Sequence, residues 1–234
     1  MVKNILQYIF NMKKFVLPFI AIYFFQSASA QTAQWDSAYR PNSFAIKTEQ
    51  FRSYPNASTD IIFLGNSITA GTDWNELLGI TTAKNRGISG DITFGILARL
   101  DEVTEGHPAK VFILIGINDI QHNTPDSIIV SNYKKIIQRI KSASPTTQIY
   151  FQTLFPVNNE FTQFKNHYNK DEHILYVNSE LKKLVSEEKI TLVDLHPYFL
   201  NRENKLDKKY TMDGLHLNAV GYTLWASLLK PWLN

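Results

Sequence analysis

The chain contains no cysteine among its 234 residues, and this absence excludes several classes of protein. It has no disulfide framework, no thiolate zinc site, no iron–sulfur cluster and no cysteine nucleophile. The GxxxxGK[ST] phosphate loop, the GxGxxG dinucleotide fingerprint and the HExxH zinc motif are missing too. We therefore expect no cofactor or metal of these classes.

An excess of one charge sign is nearly absent as well. Lysine and arginine together number 24 against 21 acidic residues, a net charge of +3. Lys3, Lys13 and Lys14 all lie in residues 1–30, which contain no acidic residue, so the rest of the chain is neutral. The composition therefore does not indicate a nucleic-acid-binding face.

Hydrophobic runs long enough to span a membrane are also missing, and the longest apolar run that is present belongs to a predicted targeting segment. Lys13 and Lys14 precede an apolar run over residues 15–25, and Ala28 and Ala30 follow with the spacing of a signal peptidase site. The run is shorter than the roughly 20 residues that a membrane helix needs. We predict a Sec-type signal peptide over residues 1–30, cleaved after Ala30. The alternative is an uncleaved N-terminal anchor.

Export through this signal would make the protein periplasmic or secreted, without stable membrane insertion after cleavage. Residues 31–234 contain no repeat and no linker, so we predict one domain there. Four segments are strand candidates because they are apolar without alternation, a pattern that suits parallel strands buried on both faces. They are residues 61–64, 111–115, 149–151 and 192–193, with a weaker candidate just before Gly87.

Helical periodicity fills the segments between these runs. Apolar residues recur on one face over 129–140, 174–185 and 219–229. Thr124 is predicted to cap the first helix, with Pro125 at its first position, and Asn218 to cap the last. Alternation of strands and helices predicts an α/β fold with right-handed crossovers and a ligand site beyond the carboxyl ends of the strands.

Polar residues in four short motifs lie where the predicted strands end or turn. Alone, the Ser67 motif is equally typical of a glycine turn with a capping serine, and the Gly87 and Asn118 motifs are more typical of turns or caps than of a site. The motifs are FLGNSITAG with Ser67, NRGISGD with Gly87, GIND with Asn118, and TMDGLHLN with Asp213 and His216.

Asp213 and His216 are three residues apart, so one turn can bring both side chains to the same side. A carboxylate that orients an imidazole, which in turn accepts a proton from a serine, is the arrangement that acyl transfer needs. Asp194 and His196 form another such pair, but we interpret His196 with Pro197 as a structural turn. Asp119 is predicted to hold its loop. The remaining histidines are interpreted as polar loop or helix residues: His107, His122, His167 and His173.

Taken in order, these motifs resemble the SGNH/GDSL hydrolase family over residues 60–220. The resemblance implies a three-layer α/β/α sandwich with a parallel sheet of about five strands, similar to flavodoxin. One departure is Asn66, since many members have Asp before the nucleophile, and we expect altered hydrogen bonding at that turn.

The resemblance also implies a role for each motif residue. Ser67 would be the nucleophile, His216 the general base and Asp213 the group that orients His216. The oxyanion would be held by the Ser67 N–H, the Gly87 N–H and the side-chain amide of Asn118.

The substrate is a small acylated molecule, and the expected reaction is removal of acetyl from carbohydrate. Residues 84–120 resemble bacterial carbohydrate O-acetylesterases of the sialate type and also the platelet-activating-factor acetylhydrolase-like branch. A lysophospholipase or thioesterase, and a non-catalytic carbohydrate-binding member of the fold, remain alternatives. Four aromatic residues after the fourth strand either rim a sugar site or pack their loop, and packing is favoured: Phe155, Phe161, Phe164 and Tyr168.

Overall fold

A five-stranded parallel sheet lies at the centre of the computed structural model, which describes residues 35–233. The strands follow the order β2-β1-β3-β4-β5, so the flavodoxin-like α/β architecture is confirmed. All five predicted strands are present, with ends shifted by one residue at most where a range was predicted. They are β1 Ile61–Gly65, β2 Ala83–Gly87, β3 Lys110–Leu114, β4 Gln148–Gln152 and β5 Thr191–Val193.

Helices occupy the connections, and the three predicted helical faces correspond to α7, α8 and α9. The α-helices are α1 Phe44–Ser53, α2 Ser67–Ala70, α3 Trp74–Leu78, α4 Thr93–Ala98, α5 Asp101–Thr104, α6 Ile117–Gln121, α7 Asp126–Ala143, α8 Asp171–Glu187 and α9 Ala219–Leu229. Short 3-10 helices cover Lys165–His167, His196–Phe199, Lys208–Tyr210 and Lys230–Trp232.

The helices form two groups by their contacts. Helix α7 packs against α4 and α8, whereas α3 packs against α9. The chain moves from β1 to β2 in one direction and from there to β3, β4 and β5 in the other. Right-handed crossovers in opposite directions put the two groups on opposite faces of the sheet, which gives three layers.

The two predicted helix caps have different outcomes. Asn218 caps α9, since its side-chain oxygen accepts the N–H of Gly221 at 3.0 Å. The prediction for Thr124 is wrong, because α7 begins at Asp126 and its start has no side-chain cap. Pro125 has an extended ψ of 135° and lies just before the helix, which leaves Thr124 one residue too early to cap it.

The core contains an aromatic ladder that runs across the sheet. Phe63, Phe112 and Tyr150 are register partners on β1, β3 and β4, and their rings stack with centroids 5.1 and 4.4 Å apart. Trp74 of α3 stacks on Phe63 at 3.9 Å and meets Trp225 of α9 edge-on at 4.7 Å. This ladder joins the helical layer of α3 and α9 to the strands whose ends carry the predicted site.

Residues 35–233 belong to one compact unit. Within them, no helix combines the length and apolar character that crossing a membrane requires. The predicted signal peptide over residues 1–30 lies outside the described residues.

Candidate active site

Ser67, His216 and Asp213 form a hydrogen-bonded chain at the carboxyl end of β1. His216 Nε2 lies 3.0 Å from Ser67 Oγ, and His216 Nδ1 lies 2.8 Å from Asp213 Oδ2. Ser67 and His216 are 149 residues apart in sequence, so the fold itself brings them together. This order of groups suits proton transfer from a serine hydroxyl to an imidazole that a carboxylate orients.

Ser67 lies on a sharp turn between β1 and α2. The side-chain oxygen of Asn66 accepts the N–H of Ile68 at 3.0 Å, so it caps this short helix. The N–H of Ser67 has no hydrogen-bond partner within residues 35–233, and neither does the buried Nδ2 of Asn66. The amide of Asn66 thus supplies the capping oxygen that an Asp would also offer, and it adds an unpaired buried donor.

Asp213 is fixed by its own turn. Its Oδ1 accepts the N–H groups of Leu215 at 2.9 Å and His216 at 2.7 Å. Thr211 closes the turn, since its hydroxyl donates to the carbonyl of His216 at 2.6 Å. Burial raises the pKa of Asp213, but these N–H donors and the His216 side chain outweigh burial and hold the pKa below its usual value. Asp213 is therefore a carboxylate at neutral pH.

Asn118 lies in the first turn of α6, directly after β3, and is buried. Its Nδ2 donates to the carbonyl of Asp91 at 2.9 Å, and its Oδ1 lies 3.0 Å from Nε2 of His167. The second hydrogen of Nδ2 has no partner among the described residues. Asp119 accepts both the N–H and the hydroxyl of Thr93, which confirms that it holds its loop.

Gly87 is misplaced as an oxyanion donor, and this prediction is wrong. Its N–H already donates to Oδ1 of Asn85 at 2.8 Å. Gly87 ends the edge strand β2 and packs against the backbone of Ala70, a close approach that only a residue without Cβ permits.

Gly90 offers the free N–H that Gly87 lacks. It occupies the third position of a turn closed by the Asp91 N–H and the Ile88 carbonyl at 3.0 Å, with a φ of +81°. A positive φ at that position is typical of a type II turn, which favours glycine. No described residue accepts the N–H of Gly90. Asn118 binds the next residue, Asp91, so the turn and the amide are neighbours.

A buried ion network supports this turn from below. Arg99 Nε lies 3.0 Å from Asp91 Oδ2, and Arg99 Nη1 lies 2.8 Å from Glu102 Oε1. Glu102 also pairs with Arg86 Nε at 3.1 Å. Arg99 Nη2 donates to the carbonyls of Arg86 and Gly65, at the ends of β2 and β1. The network therefore ties the turn to the strand that carries Ser67.

The segment 164–168 touches both halves of the site. The Phe164 ring packs edge-on against the ring of His216, with centroids 4.8 Å apart. The hydroxyl of Tyr168 donates to the carbonyl of Asp213. Phe155 packs in the core against Phe199 and Trp225, and Tyr168 is buried, in line with the favoured packing interpretation.

The second carboxylate–imidazole pair does not form. Asp194 binds Lys182 at 2.6 Å and Thr153 at 3.1 Å, while His196 Nδ1 lies 2.9 Å from the carbonyl of Leu154. Within residues 35–233, no group of three or more His, Asp or Glu side chains is arranged to hold a metal ion.

Comparisons with known proteins place this site in a family of acylhydrolases. Residues 63–224 match the GDSL-like Lipase/Acylhydrolase family. The chain is 26% identical over 178 residues to the platelet-activating factor acetylhydrolase IB subunit alpha2 of Rattus norvegicus, covering 74% of this chain and 73% of that one. It is 30% identical over 177 residues to an arylesterase of Vibrio mimicus, with coverages of 68% and 80%. A solved structure from Streptococcus pneumonia, described as a platelet activating factor, superposes with a TM-score of 0.76 at 30% identity, covering 82% and 93%.

Proposed function

This chain belongs to the GDSL-like lipase/acylhydrolase family and is a carboxylic ester hydrolase, and we propose that it is an exported serine esterase that removes acetyl groups from a carbohydrate. The observation that carries the serine mechanism is the hydrogen-bonded chain from Ser67 through His216 to Asp213.

In the proposed mechanism, Ser67 Oγ attacks the ester carbonyl and His216 Nε2 takes its proton. The carboxylate of Asp213 keeps the hydrogen of the neutral imidazole on Nδ1 and stabilises the imidazolium that forms. His216 then gives its proton to the leaving alcohol, and an acyl-enzyme remains on Ser67. Water attacks this ester in the same way, which releases the acid and restores the serine.

Three donors would hold the oxyanion: the N–H groups of Ser67 and Gly90 and the second hydrogen of Asn118 Nδ2. All three lack a partner within the described residues, which suits groups that must receive a charge as it develops. Gly90 takes the place that the sequence assigned to Gly87.

The preference for a polar alcohol rests on the cleft beside the site. A cleft of about 330 Å³ adjoins the residues that contact Asn118 and His216, and its lining contains amides, a hydroxyl and an ammonium group beside the Phe164 ring. Such groups suit the hydroxyls of a sugar better than an acyl chain. The cleft is lined by Gln121, Thr162, Gln163, Phe164, Lys165, Asn166 and His167.

An acetylated phospholipid is the second candidate substrate. It is favoured by the likeness to the platelet-activating factor acetylhydrolase subunit, whose name states an acetyl substrate. Both candidates share the small acyl group and differ in the alcohol.

The first test is hydrolysis of p-nitrophenyl acetate, butyrate and octanoate by the protein and by Ser67→Ala. We expect turnover that falls with chain length and drops by roughly 10⁴-fold or more in the variant. Turnover that survives in Ser67→Ala would overturn the serine mechanism, and a maximum at octanoate would point to a longer-chain lipase or thioesterase.

The alcohol is then identified with acetylated xylose and glucose against an acetyl-bearing ether phospholipid, with release of acetate as the readout. A higher kcat/KM on the sugars supports the carbohydrate proposal, and the reverse order supports the phospholipid. Export is tested separately by the N-terminal sequence of the protein recovered outside the cytoplasm, which we expect to begin at Gln31.

A further inference from the structure

We propose that His167 is a positioning residue that holds the amide of Asn118 in the orientation that oxyanion binding needs. The inference rests on the proposed role of Asn118 as an oxyanion donor. It extends that role to a side chain 49 residues away in sequence that no motif includes.

The hydrogen-bond partners of Asn118 determine which atom of its side-chain amide is the nitrogen and which is the oxygen. The carbonyl of Asp91 can only accept, so the atom that lies 2.9 Å from it must be the NH₂ group. The other end of the amide is then an oxygen, which can only accept, and it lies 3.0 Å from His167 Nε2. His167 must therefore donate from Nε2, and its hydrogen-bond chemistry is fully assigned.

With both ends held, one hydrogen of Nδ2 stays free in a fixed direction. Without the imidazole donor, the amide would keep only its bond to Asp91 and could rotate about it. The buried position of Asn118 gives water little access to replace the lost donor. An imidazole at this place thus converts a mobile amide into a preorganised one, which is the property that oxyanion stabilisation requires.

The charge of His167 fits this role. Burial, together with the neighbouring imidazoles of His216 and His122 and against the opposing effect of Asp213, lowers the pKa of His167 to about 4. At neutral pH the ring is uncharged and carries a single hydrogen. It can therefore orient Asn118 without placing a second positive charge beside His216 when that residue takes up its proton.

The backbone around His167 is fixed by its neighbours. His167 ends the 3-10 helix Lys165–His167, and its own N–H donates to the carbonyl of Phe164 at 2.8 Å. Phe164 packs on His216, and Tyr168 binds the carbonyl of Asp213. Segment 164–168 is therefore held against His216 and Asp213, and this contact places the imidazole of His167 beside Asn118.

The test compares His167→Leu, His167→Gln and the matched control His196→Leu on p-nitrophenyl acetate. Loss of one hydrogen bond should lower kcat roughly three- to tenfold in His167→Leu, with KM little changed. Gln can place an N–H near the position of imidazole Nε2, so His167→Gln should recover most of kcat. His196 is half-buried and bound to a backbone carbonyl as well, but lies outside the site, so its variant should keep kcat.

Asn118→Ala and the double variant with His167→Leu separate this inference from the proposed function. We expect Asn118→Ala to lose roughly 10²–10³ in kcat, and His167→Leu to add no further loss in that background. Near-normal turnover in Asn118→Ala would remove Asn118 from the oxyanion site. Two outcomes would overturn the positioning role of His167 while leaving Asn118 in the oxyanion site. In one, Asn118→Ala loses turnover but His167→Leu has normal kcat. In the other, His167→Leu lowers kcat by the same factor in the Asn118→Ala background as in the wild type.

Nitrogen-15 NMR of the imidazoles tests directly whether His167 is the donor in its contact with Asn118. We expect the hydrogen of His167 on Nε2 in the wild type at neutral pH. A hydrogen on Nδ1 would contradict the assignment of donor and acceptor and, with it, the proposal.

Discussion

Asp213 and His216 lie three residues apart on one turn, whereas the proposed oxyanion donors come from three separate segments around residues 67, 90 and 118. The acid–base turn is partly buried and closes on itself through Thr211 and the N–H groups whose hydrogen bonds Asp213 accepts. The oxyanion side depends on buried long-range contacts, above all the bond from Arg99 to the carbonyl of Gly65, 34 residues away, and the bond from Asn118 to the carbonyl of Asp91, 27 residues away.

The difference separates two ways of building a precise site. A local turn needs only a few residues in the right order, so changes to it should affect chemistry more than folding. The geometry of a site assembled from distant segments depends on packing in the core. The buried residues that hold those segments should therefore be needed for stability as well as for turnover.

The first prediction disrupts the local turn that carries Asp213 and His216. Asp213→Asn keeps an oxygen for the backbone N–H groups but allows the wrong tautomer of His216. We expect kcat on p-nitrophenyl acetate to fall roughly 10⁴-fold with little change in the free energy of unfolding. Asp194→Asn is the control, since that carboxylate also neighbours a histidine in sequence but binds Lys182 and Thr153. Comparable losses in both variants would contradict the triad.

The second prediction disrupts the buried ion network of Arg99, which supports the proposed oxyanion donors. Arg99→Met leaves the buried Asp91 without its partner and Glu102 with Arg86 alone, so we expect the free energy of unfolding in urea to fall by about 3–5 kcal/mol. Arg52→Met is the matched control, because Arg52 pairs with Asp101 at 2.8 Å on the surface with both side chains largely exposed. It should cost less than about 1 kcal/mol. Equal losses would show that burial of the network carries no special weight.

The same contrast explains how much could be predicted from the sequence. Apolar runs predicted β1, β3, β4 and β5, because strands buried on both faces contain few polar residues, whereas the polar edge strand β2 gave only a weaker signal before Gly87. Ser67, Asn118, Asp213 and His216 were found because their four motifs, taken in order, resemble the SGNH/GDSL family. Each motif is local in sequence and lies near a strand end or turn, so it can be read without knowledge of long-range contacts.

What the sequence could not supply depends on long-range contacts. Gly87 and Gly90 lie in one motif, and only the bond from Gly87 to Asn85 shows which N–H is already used. His167 carries no local signal, since its partner Asn118 is 49 residues away. Thr124 failed as a cap because the extended backbone of Pro125 delays the helix start.

The third prediction sharpens the assignment of Gly90. A Cβ at Gly90 would meet Pro41 at 3.1 Å and strain a φ of +81°, so Gly90→Ala should shift the turn. Gly79→Ala is the control, with a φ of +66° and open space around the added Cβ. Both should lower the free energy of unfolding by about 1–2 kcal/mol. Only Gly90→Ala should also lower kcat, by roughly tenfold or more. Equal kcat in the two variants would remove Gly90 from the oxyanion site.

The fourth prediction concerns Asp119, the fully buried carboxyl next to Asn118. Burial raises its pKa from 3.8 to about 7, the N–H and hydroxyl of Thr93 oppose the rise, and the nearby Asp91 adds to it. The folded protein therefore holds this proton more tightly than the unfolded chain does. The stability that Asp119 contributes is complete below its unfolded pKa and is lost as the pH rises through about 7.

Asp119→Asn removes this titration and keeps an oxygen for Thr93. Between pH 5 and pH 7, the free energy of unfolding of the wild type should fall relative to the variant by roughly 2 kcal/mol. Urea unfolding at several pH values measures the difference, in which other titrating groups largely cancel. Parallel curves would mean that Asp119 is ionised throughout this range and that its three contacts with Thr93 outweigh burial. The oxyanion half would then rest on two buried carboxylates, Asp91 and Asp119, of which only Asp91 has a cationic partner within residues 35–233.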